Sequence, residues 1–158
     1  MPGLDLRVAM HRLNINPDTK LVKQYQRWLR PEIMKAIQSD VKKLIESDFI
    51  REEQYPDWVA NIIPVTKKNG KIQIYMDFRD LNAACPKDEF PLPIIDVMID
   101  NTCGSERMSF LDKFSGYNQI KMYPKDEKHT SFRMPLGVYC YTVMPFGLKN
   151  AGATYNGQ

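Results

Sequence analysis

Hydrophobic positions in this chain change their spacing several times, and each change marks a predicted element. After Pro31, the apolar residues Ile33, Ile37 and Val41 recur at helical spacing, with Lys and Gln on the opposite face. Proline is favoured at the first position of a helix, because its missing N–H would have no partner there. The pattern therefore predicts an amphipathic helix from Pro31 to about Ser47.

Two runs rich in β-branched and aromatic residues follow, one on each side of Asn69-Gly70. Asn-Gly between such runs predicts a hairpin, because both residues tolerate positive φ in a tight turn. Lys67, Lys68 and Lys71 crowd the predicted tip. Lysines at a tip keep a sheet edge soluble, and three together also make a mobile grip for phosphate. The hairpin alone favours the first role.

The rest of the chain mixes short strands and helices. Prolines between Pro86 and Pro93 precede a predicted short helix that ends near Asn101. Later predictions are strands at 107–112, 130–134 and 138–143, a turn or short helix at 115–119, and a helix after Gly147. Because no βαβ alternation occurs, the fold class is predicted to be α+β.

Charge is concentrated near the start of the chain. The net charge is only +3, but residues 7–30 carry six Lys or Arg against the single acid Asp18. Such a basic arm either contacts polyanions or is a solvated linker, and charge alone does not separate the two.

The cysteines and the hydropathy exclude several classes. Cys85, Cys103 and Cys140 are odd in number and far apart, and the only histidines are His11 and His129. Reduced thiols in an intracellular protein are therefore expected, rather than a disulfide framework or a zinc site. No secretory signal and no bilayer-spanning run is visible, so no membrane association is expected. The compartment, cytoplasmic or nuclear, stays open.

Asp112 stands out because it interrupts the apolar stretch 110–114. A buried carboxylate is costly unless it is paired, hydrogen-bonded or bound to a metal. It either holds a metal ion or caps the following turn through Ser115 or Gly116. Tyr117, just beyond that turn, is either a packed aromatic or a residue of a site.

Four blocks in register resemble the reverse transcriptase of gypsy-type LTR retrotransposons (Metaviridae). They are "MPGLD", "YPDWVANIIPVTKKNGKIQIYMDFRDLNAACPKDEFPLPIID", "SFLDKFSGYNQIKM" and "YCYTVMPFGLKNAGATY". The resemblance covers nearly the whole chain. It implies the fingers and the first part of the palm of a right-hand polymerase over residues 31–158. Residues 1–30 resemble the stretch between protease and polymerase in a Pol polyprotein.

The resemblance also implies a site. In this family the Asp of the third block is one of three carboxylates that bind two Mg²⁺ ions, so Asp112 is the implied catalytic metal ligand, for Mg²⁺ or Mn²⁺. Tyr117 corresponds to the steric gate beneath the incoming sugar. The amides of Ser115 and Gly116 are expected to face the triphosphate. The other implied nucleotide-binding residues are Lys67, Lys68, Lys71, Gln73, Phe146 and Gly147. Arg79 and Asn82 are implied template contacts, although a structural Asp77–Arg79 network explains them equally well.

The intact enzyme is expected to add dNTPs to a primer on an RNA or DNA template, together with the remaining palm, connection and RNase H segments. The sequence contains no Asp-Asp pair and is expected to be truncated before the Tyr-x-Asp-Asp hairpin. It is therefore expected to be inactive by itself and not to hold metal stably. The alternative is a non-catalytic nucleic-acid-binding remnant of a retrotransposon.

Three departures from the family pattern accompany these matches. Gln73 stands where the family usually has Arg, Lys113 follows the metal ligand, and the pattern is lost after Tyr155. Gln offers neither the charge nor the planar guanidinium of Arg. Gln73 is therefore predicted to weaken the contact with the incoming nucleotide.

Gln73→Arg is expected to tighten dNTP binding in a complete polymerase that contains this chain. A charge-assisted hydrogen bond contributes about 1.5–3 kcal/mol, so the KM for dNTP should fall roughly 10- to 100-fold in steady-state primer extension. Gln38→Arg, which adds the same charge on the polar face of the predicted helix, is the control. An unchanged KM in Gln73→Arg would show that residue 73 does not contact the nucleotide.

Overall fold

The computed structural model describes residues 9–91, 93–109 and 116–157. The helices in these ranges are α1 (Pro31–Glu46), α2 (Arg79–Ala84), α3 (Ile95–Asp100) and α4 (Ala151–Asn156). The strands are β1 (Met10–His11), β2 (Ile50–Glu52), β3 (Ile62–Thr66), β4 (Ile72–Met76), β5 (Lys121–Met122), β6 (Phe132–Met134) and β7 (Gly137–Tyr141). Short 3₁₀ helices span Gly116–Gln119 and Glu127–Thr130. The predicted α+β class is confirmed.

The predicted helix at Pro31 is confirmed as α1, with Ile37 and Val41 buried. It ends in a Schellman motif: the Phe49 N–H donates to the Leu44 carbonyl, and the Asp48 N–H donates to the Ile45 carbonyl, both at 3.0 Å. Asp48 takes the left-handed conformation, φ 56°, which this motif requires. The chain therefore turns sharply from α1 into β2.

The predicted hairpin is confirmed, but its turn is not the predicted one. β3 and β4 pair antiparallel, with Val65 opposite Gln73. Of the two central residues only Gly70 has positive φ, 77°. The Asn69 side chain instead accepts a hydrogen bond from the Lys71 N–H at 3.1 Å. The tip is therefore a longer turn that ends in a left-handed glycine.

A second, three-stranded sheet has the order β2–β7–β6, antiparallel throughout. Phe132 on β6 is fully buried and lies 5.4 Å, ring centre to ring centre, from Tyr141 on β7. A parallel bridge between Ala60 and Phe132 connects this sheet to the chain that enters the hairpin. The core thus lies between α1, the hairpin and this sheet.

The segment 9–30 lies along the rest of the chain. β1 pairs parallel with β5, and Ala9, His11 and Leu13 are buried. His11 Nδ1 lies 2.8 Å from Thr154 Oγ1 of α4, and burial lowers the His11 pKa to about 4. The domain boundary at residue 30 stays a prediction, but contacts cross it.

Other local predictions met mixed outcomes. The short helix before Asn101 is confirmed as α3, and Cys85, Cys103 and Cys140 are free. The strand predicted from residue 107 is wrong for 107–109, which form no strand, and the remainder of that prediction lies outside the described residues. No helix in the described ranges is long and apolar enough to cross a bilayer.

Ile37→Ala is expected to lower the free energy of unfolding by about 2–5 kcal/mol, because it leaves a cavity at a fully buried position of α1. The thermal midpoint should fall by roughly 4–20 °C. The neighbouring Gln38→Ala, on the exposed face of the same helix, should change stability by no more than about 0.5 kcal/mol. Equal losses in both variants would contradict the packing of α1 described above.

Candidate active site

Two of the predicted site residues, Asp112 and Ser115, lie outside the described residues. The description resumes at Gly116, in the 3₁₀ helix that carries Tyr117. The turn or short helix predicted at 115–119 is confirmed for Gly116–Gln119, and residue 115 lies outside the described residues. The roles of Asp112 and Ser115 stay predictions.

An aromatic cluster of Tyr117, Phe146 and Tyr155 joins two of the predicted residues. The Tyr117 and Phe146 ring centres lie 4.7 Å apart with their planes tilted by 34°. Tyr155 of α4 meets Tyr117 edge-on, with ring centres 5.1 Å apart. Both separations fall within the range of favourable aromatic pairs. The blocks that carry the predicted gate and the predicted pocket floor are thus in direct contact.

Tyr155 also explains why residue 116 is glycine. A Cβ added at Gly116 would come within 2.6 Å of the Tyr155 hydroxyl oxygen. The backbone next to Tyr117 therefore lies directly on the Tyr155 ring. Sequence reasoning placed no role on Tyr155, although it is the last residue of the fourth motif block.

Asn82 fixes the loop that carries Gly147. Its Nδ2 donates to the Gly147 carbonyl at 2.7 Å, and its Oδ1 accepts from the Lys149 N–H at 2.8 Å. Lys149 Nζ donates in turn to the Cys85 carbonyl, also at 2.8 Å. Gly147 takes φ 96°, which favours glycine. The Asn82 side chain is thus committed to a structural clamp.

Arg79 forms the structural network that was the alternative to a template contact. Its Nε donates to Asp77 Oδ1 and its Nη2 to Asp77 Oδ2, both at 2.7 Å. The Arg79 guanidinium beside Asp77 lowers the pKa of that buried carboxyl. The Arg79 side chain is nevertheless 78% exposed. The ion pair therefore orients this guanidinium while leaving it accessible from solvent.

Gln73 lines a cavity of about 280 Å³ beside the aromatic cluster. The cavity lies between α1, β4 and the loop at Pro145 and Phe146. Asn118, in the same 3₁₀ helix as Tyr117, also lines it. The structure thus brings Gln73 and Phe146, which were predicted separately, to one concave surface.

The three lysines at the hairpin tip, Lys67, Lys68 and Lys71, are all exposed. They do not line the cavity beside Gln73. No ion pair joins any of them to a carboxylate in the described part of the chain. Their ammonium groups therefore remain available to an external anion.

A metal centre is not assembled by the described residues alone. Across 9–91, 93–109 and 116–157, no three His, Cys, Asp or Glu side chains come together in a way that could hold a metal ion.

A family model described as reverse transcriptase (RNA-dependent DNA polymerase) matches residues 65–157. The chain is also 32% identical, over 127 residues, to the transposon Tf2-3 and Tf2-4 polyproteins of Schizosaccharomyces pombe. Each of these matches covers 80% of this chain but only 10% of the polyprotein.

Solved structures agree on the fold. A prototype foamy virus protease-reverse transcriptase matches with a TM-score of 0.66 and 20% identity, over 89% of this chain and 19% of that one. A foamy viral protease-reverse transcriptase in complex with double-stranded DNA matches with a TM-score of 0.70 and 17% identity, over 94% and 25%. The predicted partial polymerase fold is confirmed.

The fold and the assembled motif blocks define a nucleic-acid polymerase domain. The chain belongs to the reverse transcriptase (RNA-dependent DNA polymerase) family. The resemblance to gypsy-type LTR retrotransposon polyproteins is likewise confirmed.

Gly116→Ala is expected to destabilise the chain by about 1–3 kcal/mol, because the new methyl group overlaps the Tyr155 ring. Thermal unfolding of the single variant, of Tyr155→Leu and of the double variant measures the coupling. In the Tyr155→Leu background, Gly116→Ala should lower the free energy of unfolding by a much smaller amount. The same cost in both backgrounds would show that Tyr155 does not limit residue 116.

Proposed function

We propose that this chain supplies the fingers and the nucleotide-facing part of the palm of a reverse transcriptase that extends a primer on an RNA or DNA template. The observation that carries the proposal is the Tyr117–Phe146 ring contact at 4.7 Å, beside the cavity that Gln73 lines. This contact joins the third and fourth motif blocks beside one concave surface. In this proposal 31–158 is the polymerase part and 1–30 is the lead-in.

The incoming nucleotide is held by residues of three elements. The Tyr117 ring, wedged between Phe146 and Tyr155, cannot swing away from the sugar without losing both aromatic contacts. It therefore acts as a rigid gate against a 2′-hydroxyl group. Gly116 contributes its backbone N–H to the triphosphate, as Ser115 does, and Gly147 keeps the pocket floor open. Because Gln73 is uncharged, the base side of the pocket binds by shape and hydrogen bonding.

Phosphate charge is met by the lysines of the hairpin tip. Lys67, Lys68 and Lys71 are exposed at the end of a two-stranded arm, where they close on the triphosphate of a dNTP. Arg79 faces the template backbone with its orientation set by Asp77. Asn82 acts on the template indirectly, through the loop that it clamps. One structural neighbour is a reverse transcriptase in complex with double-stranded DNA, which supports a template–primer as the partner.

Asp112 is the residue of this chain that would hold a divalent cation, Mg²⁺ or Mn²⁺. When bound, such ions neutralise charge on the reacting phosphate and activate the primer hydroxyl. The remaining ligands, like the connection and RNase H functions, come from other parts of the polyprotein in this proposal.

Primer extension by the complete polymerase that contains this chain tests the proposal. Asp112→Asn should lower templated extension at least about 100-fold, because even the loss of a ligand's supporting partner costs 10- to 100-fold in a typical metal site. Asp18→Asn, which removes a carboxylate in the exposed lead-in, is the matched control and should extend normally. Unimpaired extension by Asp112→Asn would refute the role of Asp112. If the unmodified protein binds the template but does not extend the primer, the result would instead support the alternative, a non-catalytic nucleic-acid-binding protein.

A further inference from the structure

Two aromatic side chains in the lead-in segment have no packing partner. Trp28 is 100% exposed and Tyr25 is 95% exposed. No described ring stacks on either of them. Single exposed apolar residues are ordinary on a protein surface. Two fully exposed aromatic rings three residues apart form a larger apolar surface, and covering that surface with a ligand lowers the free energy.

Cations flank both aromatic rings. We call the exposed residues Lys20, Lys23, Tyr25, Arg27, Trp28 and Arg30 the basic–aromatic strip. No acidic residue occurs between Asp18 and Glu32. Lys20 and Arg30 form no ion pair with a carboxylate of the described ranges. The strip therefore presents its aromatic faces among basic side chains, of which Arg27 lies near Asp77.

The backbone of the strip is anchored, so its outward side chains are held in place. The Gln24 N–H donates to the Val59 carbonyl at 2.9 Å, and the Val59 N–H donates to the Val22 carbonyl at 3.1 Å. Asn61 Nδ2 donates to the Tyr25 carbonyl. Val22 and Leu29 pack inward against the core. An extended segment fixed on one side presents its other side with little ordering cost on binding.

We propose that the basic–aromatic strip binds single-stranded nucleic acid, by stacking unpaired bases on Tyr25 and Trp28 while the flanking cations contact phosphates. Alternating aromatic and basic groups suit this ligand, because every base has a stacking face and every nucleotide carries a phosphate. The bases of a duplex are already stacked on one another and offer no free face along the helix. The strip should therefore prefer single strands to duplexes.

Continuity with the proposed template path favours the template strand as this ligand, an assignment that rests on the proposed function. Arg27 Nη2 lies 3.7 Å from Asp77 Oδ2, the same oxygen that Arg79 Nη2 contacts at 2.7 Å. Two guanidinium groups thus converge on one carboxylate at this junction, with Asp80 close by. The strip thus meets the proposed template contact at Arg79, and it fits the unpaired template that has not yet been copied.

The chain contains its own probe for this interaction. Of its two tryptophans, Trp28 is fully exposed and Trp58 is 3% exposed. An oligothymidylate that stacks on the strip should quench the Trp28 fluorescence and leave the Trp58 emission. Trp28→Ala should abolish the quenching. A matched duplex should quench much less at the same nucleotide concentration.

Affinity measured by anisotropy of labelled oligothymidylate identifies the contributing side chains. Tyr25→Ala and Trp28→Ala should each weaken binding roughly 5- to 150-fold, as expected for the loss of one stacked base. Trp28→Phe should retain most of the affinity. Tyr55→Ala is the control, because Tyr55 is 85% exposed but neighbours the acidic Glu53.

The salt dependence of oligonucleotide binding measures the contribution of the basic side chains. Arg30→Gln should lower the slope of log K against log salt by about 0.7, the value for one phosphate contact on a single strand. Lys42→Gln, on α1 beside Glu46, should leave the slope unchanged.

Equal affinity for single strand and duplex, or binding that survives Trp28→Ala, would overturn the inference. Self-association that is lost in Trp28→Ala, without any effect on oligonucleotide binding, would also overturn it and identify a protein contact. These assays need no catalysis. If the strip does not bind oligothymidylate but primer extension is normal, this inference fails and the proposed function stands. If the strip binds oligothymidylate but the complete polymerase does not extend a primer, the proposed function fails and the binding by the strip stands.

Discussion

The buried carboxylate of Asp77 is the interaction on which the arrangement of this chain depends. It lies at the end of β4 and the start of α2, and its two oxygens hold the Arg79 guanidinium. The backbone of Asp77 is bonded as well. The Asp77 N–H donates to the Asn61 carbonyl at 2.9 Å, and the Asp77 backbone carbonyl accepts from Gln24 Nε2 at 3.1 Å. A buried charge is tolerated only when its hydrogen-bonding capacity is filled in this way. One residue thus fixes the hairpin, α2 and the lead-in segment relative to one another.

The proposed nucleotide pocket depends on packing instead of charge. Tyr117 is held by two rings, one from the loop after β7 and one from α4, while Asn82 of α2 fixes the loop at Gly147. Each contact joins parts of the chain that are far apart in sequence. The pocket wall is therefore a product of the tertiary fold, and its position is sensitive to changes in α2 and α4 that touch no ligand.

Local patterns predicted α1, the hairpin and α3 because each has a strong short-range signal: helical periodicity after a proline, Asn-Gly between β-rich runs, and a proline-rich entry. The turn at Asn69 was predicted wrongly. The Asn69 side chain accepts a hydrogen bond from the Lys71 N–H, and this bond competes with the left-handed backbone conformation that was predicted for Asn69. α2 was missed, since its six residues are set by the Asp77 network and not by a hydrophobic stripe. The motif blocks named Tyr117 and Phe146, but their contact and the part played by Tyr155 arise from long-range packing that no local pattern encodes.

The pairing of β1 with β5 has a kinetic consequence. Met10 pairs with Lys121, and His11 reaches Thr154, so the first described strand finds its partners only near the far end of the chain. Closing so long a loop is entropically unfavourable until the intervening chain has compacted. On the ribosome, α1 and the hairpin are able to form while β1 still waits, unpaired, for residues that have not been synthesised. The lead-in segment therefore docks in two stages: Gln24 and Tyr25 are able to bind Val59 and Asn61 early, whereas β1 docks only after residues 121–154 have been made.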